Sequence, residues 1–190
     1  MDYIKIRDKV EKKIKKERFL HSLGVAYTSS YLASRFSLDE EKARICGIYH
    51  DMYRYDTDSN TALLLEKNGF ILEEEEKKNS VLLHGPLASM YADKDFEENV
   101  EVDIKKALRH HTLGSIEMGK MGAILYIADY IEPGRRYIED EERIYILSLD
   151  SLESMIIYII DREKKRLRKG QKEAEVTEHL YKYIKSGNRL

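Results

Sequence analysis

The chain has 190 residues, which fits one domain of ordinary size. Its 33 basic and 35 acidic residues nearly cancel, so neither a strongly basic nucleic-acid binder nor an acidic disordered chain is indicated. One cysteine, Cys46, excludes an internal disulfide and a zinc finger, and no apolar run approaches the roughly 18 residues of a membrane span. The first twenty residues are charged throughout and lack the apolar stretch of a signal peptide, so a cytoplasmic location is expected.

Apolar residues recur at helical spacing along almost the whole chain. A first helix is expected at about 2–16, with Ile4, Val10 and Ile14 as its apolar positions. A second, about 18–36, offers the row Leu20, Leu23, Tyr27 and Tyr31 and a second row Val25, Thr28 and Leu32. Asp39 is placed to cap a third helix running to about Asp51, with Glu40 and Glu41 in its first turn. A short helix, about 58–67, ends at Asn68-Gly69. The charged run Glu73–Lys78 reads as a solvated face or loop.

Further helices are expected at about 80–92, 101–111 and 118–131. Asp150 or Ser151 is placed to cap a helix through about Arg168, with Leu152, Met155, Ile156, Ile159 and Ile160 inside and Gly170 as its breaker. A last helix, about 172–186, packs through Val176, Leu180, Tyr183 and Ile184. No stretch alternates as a strand does, so the fold class is all-α with about eight or nine helices.

Five ionisable residues fall on the apolar rows of five different helices. His21 lies with Val25, Thr28 and Leu32; His50 with Ala43, Cys46 and Gly47; His84 with Val81, Ala88 and Tyr91. His111 lies with Ile104, Ala107 and Leu108, whereas its neighbour His110 falls with Asp103 and Lys106 on the polar side. Asp129 continues the row Met118, Met121, Gly122 and Leu125, and Asp51 stands beside His50. Burying so many ionisable groups is costly unless something compensates them. A metal cation accepts imidazole nitrogens and carboxylate oxygens in one small volume, and therefore fits the set. Cys46 reads as a small core residue and His179 as a surface residue.

The set His21, His50-Asp51 and Asp129 resembles the HD-domain metal-dependent phosphohydrolases. The stretches LLHGPLASMYA (82–92), ALRHHTLG (107–114) and ILYIADYIEPGR (124–135) are similar to the bacterial YqeK-type branch of that superfamily. The resemblance implies an HD-domain helical bundle over 1–190, with its core at about 17–160 and the C-terminal helices packed on it. It also implies symmetrical cleavage of diadenosine tetraphosphate into two ADP and a two-metal site, commonly iron. Manganese, cobalt and zinc suit the same donors.

Carried across by motif, His21, His50, Asp51 and Asp129 match the four-ligand signature, and His84 and His111 match the histidines of a second metal. Asp51 would bridge the two ions, with a bridging hydroxide attacking an inner phosphorus. Arg135 matches a phosphate-contacting position. Arg54 stands where the HD motif often continues to a lysine, three residues after the Asp; it keeps the charge with a fork geometry. Arg54 and Arg135 are thus grouped with Asp51 in the catalytic set, and Arg18 joins them as a phosphate contact. Thr112 is placed either to hydrogen-bond beside the site or to cap its helix.

Two other classes stay open on the residues alone: a different nucleotide phosphatase on the same scaffold, and a non-catalytic nucleotide-binding module. The basic stretch Arg162–Lys172 lacks interleaved aromatics and reads as a helix end, so no nucleic-acid partner is expected. The 14 tyrosines read mostly as packing residues; those left at the surface keep a homodimer open.

Overall fold

The computed structural model describes residues 1–167 and 172–190 and contains helices and turns but no strand among them. In chain order the helices are α1 (Tyr3–Lys13), α2 (Lys16–Arg35), α3 (Glu40–Tyr49), α4 (Thr61–Lys67) and α5 (Glu74–Lys78). After a 3₁₀ turn, Ser80–Leu83, come α6 (His84–Phe96), α7 (Val102–His110), α8 (Gly119–Ile131), α9 (Asp140–Ser148), α10 (Leu152–Arg166) and α11 (Glu175–Lys185). No helix among the described residues is long and apolar enough to cross a membrane.

Side-chain caps start several helices where the sequence places them. The Asp39 carboxylate accepts the Lys42 N–H at 3.0 Å, and Ser151 Oγ accepts the Ser154 N–H at 3.1 Å. Asp2 does the same for α1, accepting from Ile4 and Lys5.

Helix α8 is the axis of the bundle. It is buried on nearly every side, from Met121 through Ile131, as expected of a helix apolar all round. It packs against α2, α3, α7 and α10, and α11 packs on α10. Helices α2 and α3 approach most closely. A Cβ at Gly47 would stand 2.6 Å from the Ala26 Cα, so only glycine lets the two backbones meet there.

Three expectations are corrected. Among the described residues eleven α-helices stand where eight or nine were expected, the additions being α5 and α9. The row Leu20, Tyr27, Tyr31 of α2 faces outward, each residue more than half exposed, as does Ile4 on α1. The buried side of α2 is instead Phe19, Ser22, Val25, Ala26, Ser29, Leu32 and Ala33. Small residues dominate that face because α3 presses on it, and the bulky tyrosines are left for the surface. The breaker Gly170 and the helix end expected at Arg168 lie outside the described residues; α10 ends at Arg166.

The run Glu73–Lys78, expected to be a solvated loop or face, is neither throughout. It forms α5, and Glu76 within it is buried at 1% exposure. Arg109 of α7 donates to both its oxygens, at 2.5 and 2.8 Å, and to the Ile71 carbonyl at 3.0 Å. Replacing Arg109 with methionine would leave a buried carboxylate without its cation. We expect a loss of about 3–5 kcal/mol in urea unfolding of the metal-free protein. A loss below ~1 kcal/mol would mean that the pair is energetically equivalent to an exposed one.

Candidate metal centre

The six inward residues converge in one place because most of them sit where helices begin or end. His50 follows the last residue of α3, His84 opens α6, His111 follows the last residue of α7, and Asp129 lies in the last turn of α8. His21 is in the second turn of α2. Helix ends leave backbone carbonyls without partners. Two of these histidines use one directly: Nδ1 of His50 lies 2.7 Å from the Gly47 carbonyl, and Nδ1 of His111 lies 2.8 Å from that of Leu108. His84 Nδ1 reaches the Val81 carbonyl in the 3₁₀ turn at 2.5 Å. The fourth histidine differs, since His21 Nδ1 lies 3.0 Å from Glu132 Oε1.

With the Nδ1–H groups committed in this way, every Nε2 lone pair points inward. Asp51 stands in the middle. Its Oδ2 lies 3.2 Å from His50 Nε2 and 3.7 Å from His21 Nε2, while its Oδ1 lies 3.1 Å from His84 Nε2. Asp129 Oδ1 lies 3.0 Å from His21 Nε2 and 3.7 Å from His50 Nε2. His84 Nε2 and His111 Nε2 are 3.0 Å apart. Two donor sets result, His21–His50–Asp51 and Asp51–His84–His111, and they share the one carboxylate.

This arrangement fits divalent cations on its own terms. His50 Nε2 is buried with no hydrogen-bond partner, and Nε2 of His84 and of His111, whose Nδ1 atoms already face carbonyls, lie 3.0 Å apart. Both features are unfavourable unless a positive charge lies between the atoms. Burial would raise the Asp51 carboxyl, but His50 and His84 outweigh it and hold it well below the usual carboxylate range. Asp129 is held low against burial by His21 and Arg135. Burial, with His84 and His50 alongside, pushes His111 down to about 3, which keeps its imidazole neutral and able to ligate.

His110 is not in the cluster. It is only partly buried, and its Nε2 lies 4.0 Å from Glu117 Oε2. Burial and the neighbouring Arg109 and Lys106 lower it to about 4.

Among the arginines, Arg18 Nη1 donates to Asp51 Oδ2 at 3.0 Å. Arg135 donates from Nε to the Asp129 backbone carbonyl at 2.8 Å and from Nη2 to the Asp129 carboxylate. Arg54 Nη1 lies 3.4 Å from both ring nitrogens of His84, and so sits over the face of that ring. The side chains of Arg18, Asp129 and Arg135 are about a quarter exposed, which makes this the open side of the cluster. Thr112 is half-buried beside His111 and donates no hydrogen bond to the cluster. Cys46 is fully buried, and burial pushes its thiol up to about 12, which suits packing and not nucleophilic work.

The HD domain family model matches residues 18–134 of the chain, a span that contains every residue of the cluster. The chain belongs to the HD-domain family. A Staphylococcus aureus protein named symmetrical bis(5'-nucleosyl)-tetraphosphatase is 33% identical to this HD-domain protein over 141 residues, covering 71% of this chain and 69% of that one. A Bacillus subtilis protein of the same name is 29% identical over 182 residues, covering 94% and 95%. The crystal structure of a Clostridium acetobutylicum protein, described as a "predicted HD superfamily hydrolase involved in NAD metabolism", matches with a TM-score of 0.86 and 31% identity over 99% of both chains.

Proposed function

We infer that this HD-domain protein is a symmetrical bis(5'-nucleosyl)-tetraphosphatase, a metal-dependent hydrolase that splits diadenosine tetraphosphate into two ADP. One observation carries the reading: a single buried carboxylate, Asp51, offers one oxygen to His21 and His50 and the other to His84 beside His111. The names of the S. aureus and B. subtilis relatives support the substrate.

Two divalent cations would be held by His21, His50, Asp51 and Asp129 on one side and by Asp51, His84 and His111 on the other. Iron is the first candidate, and manganese, cobalt and zinc suit the same donors. When bound, such ions neutralise charge on phosphoryl oxygens and bring the pKa of water from 15.7 to about 7.

The protein's own groups do the rest. The four Nδ1 contacts fix ring orientation, so each imidazole presents Nε2 inward without rearrangement. Arg18 and Arg135 line the open side, and together with Arg54 they bind the chain of phosphates. Arg135 is anchored through Nε and Nη2, which leaves Nη1 free for a phosphate oxygen. Arg54 above His84 serves the opposite end of the cluster. Symmetrical products require water to add to one inner phosphorus while the bond from that phosphorus to the central bridging oxygen breaks. One ADP gains the water oxygen, the other leaves as an anion, and a proton is released. Thr112, half-buried next to His111, would contact the substrate at the edge of this site. The chain acts as one domain, a reading supported by the packing of α10 on α8 and of α11 on α10; its proposed location is cytoplasmic.

Hydrolysis in ¹⁸O-water, with products separated by ion exchange and weighed, tests this directly. ADP alone, with one labelled oxygen per pair, is the expected result. AMP with ATP would overturn symmetrical cleavage. Preferential turnover of nucleoside monophosphates would overturn the substrate.

A further inference from the structure

Three of the four inward histidines rest their Nδ1 on a neutral backbone carbonyl. Only His21 rests on a carboxylate, that of Glu132. The carboxylate is 2% exposed and lies just past the end of α8. It has a second task, because its Oε2 accepts the Gly134 N–H at 2.6 Å. Helix α2 makes room for it: a Cβ at Gly24 would stand 2.3 Å from Glu132 Oε2. A charged group is therefore buried, seated against a glycine and hydrogen-bonded through both oxygens, with one oxygen turned to a metal-facing ring.

We propose that Glu132 is a positioning residue that acts through His21, and that it strengthens one of the two ion sites, the His21–His50–Asp51 centre, selectively. The inference rests on the metal reading of the cluster given above. A carboxylate behind an imidazole fixes the tautomer, aims Nε2 at the ion and raises the ring's basicity. A carbonyl supplies the first two effects and less of the third. Asp51–His84–His111 has carbonyl backing alone, so the two centres differ in their support although they share Asp51.

Glutamine at this position cannot satisfy both neighbours. It has one acceptor oxygen, and both the Gly134 N–H and the His21 Nδ1–H require one. Whichever contact keeps the oxygen, the other meets an NH₂ group. Gly24→Ala offers a second approach, since its methyl group displaces the carboxylate without removing it and alanine favours the helix.

The test is a two-ion titration of full-length metal-free protein with manganese, on wild type, Glu132→Gln and Gly24→Ala. The His21 Nδ1–H proton is followed by NMR in the same samples. Both variants are expected to lose about 10–100-fold in affinity for one ion while the other ion binds as in wild type. The Nδ1–H resonance should move upfield and exchange with water faster. Wild-type affinity for both ions in Glu132→Gln would overturn the proposal. So would an equal loss at both ions with an unmoved Nδ1–H signal, which is the mark of a purely structural residue. Wild-type protein that takes up no ion would sink the metal reading itself; the Nδ1–H signal, present without metal, would then still decide whether Glu132 holds His21.

Discussion

Replacing Asp51 with alanine is expected to abolish hydrolysis of diadenosine tetraphosphate, lowering kcat/KM by more than about 10³-fold. Among the described residues no other serves both donor sets. Its two oxygens stand 3.1–3.2 Å from Nε2 of His84 and His50, and Arg18 donates to one of them. Without the carboxylate, inward-facing imidazoles and a guanidinium surround a cavity with one negative group, Asp129, on one side only. Neither ion then has enough charge compensation to bind tightly. Asp51→Asn separates charge from shape: it fills the same space, keeps an acceptor oxygen and loses the charge. Both variants should lose the rise in melting temperature that added metal gives wild type, because that rise is binding energy. Ion content by elemental analysis and circular dichroism on the same sample check the result. A folded Asp51→Ala protein that keeps two ions and full turnover would refute a shared role for this carboxylate.

The second large effect distinguishes two adjacent histidines. His111→Ala should lower activity at least about 100-fold and release one ion, whereas His110→Ala should change kcat/KM less than about threefold. The two residues differ in surroundings and not in chemistry. His111 is 2% exposed, and its Nε2 is 3.0 Å from that of His84. His110 points away, with only a distant carboxylate, Glu117, near its Nε2. Steady-state kinetics with metal analysis of each variant decides the matter. The reverse ranking would place the second ion on the wrong side of α7.

Much of this centre was legible in the sequence because helical periodicity reports facing. His21, His50, His84, His111 and Asp129 each continue an apolar row, and five such residues share one core only if they meet. The same rule separated His111 from His110. It failed for Leu20, Tyr27 and Tyr31, since a tyrosine counts as apolar in a periodic row yet exposes its hydroxyl readily. What decides that face is the close approach of α3 at Gly47, a contact between segments that no single row records.

Glu76 escaped for a related reason. A charged run is ordinarily solvated, and the partner that buries this member, Arg109, lies 33 residues away. Glu132 escaped because it follows the helix and meets the cluster only from behind, at Nδ1 of His21. Its available signal was a second acid, three residues after Asp129, closing the mostly apolar run 121–131 just before Pro133-Gly134.

Two ions, one on either side of Asp51, should be visible by anomalous diffraction from crystals of the metal-loaded protein, recorded at the absorption edge of the bound element. Two peaks are predicted, about 3.5–4 Å apart. One should be ringed by His21, His50, Asp51 and Asp129, the other by Asp51, His84 and His111. A single peak, or a pair that does not share Asp51, would contradict the account.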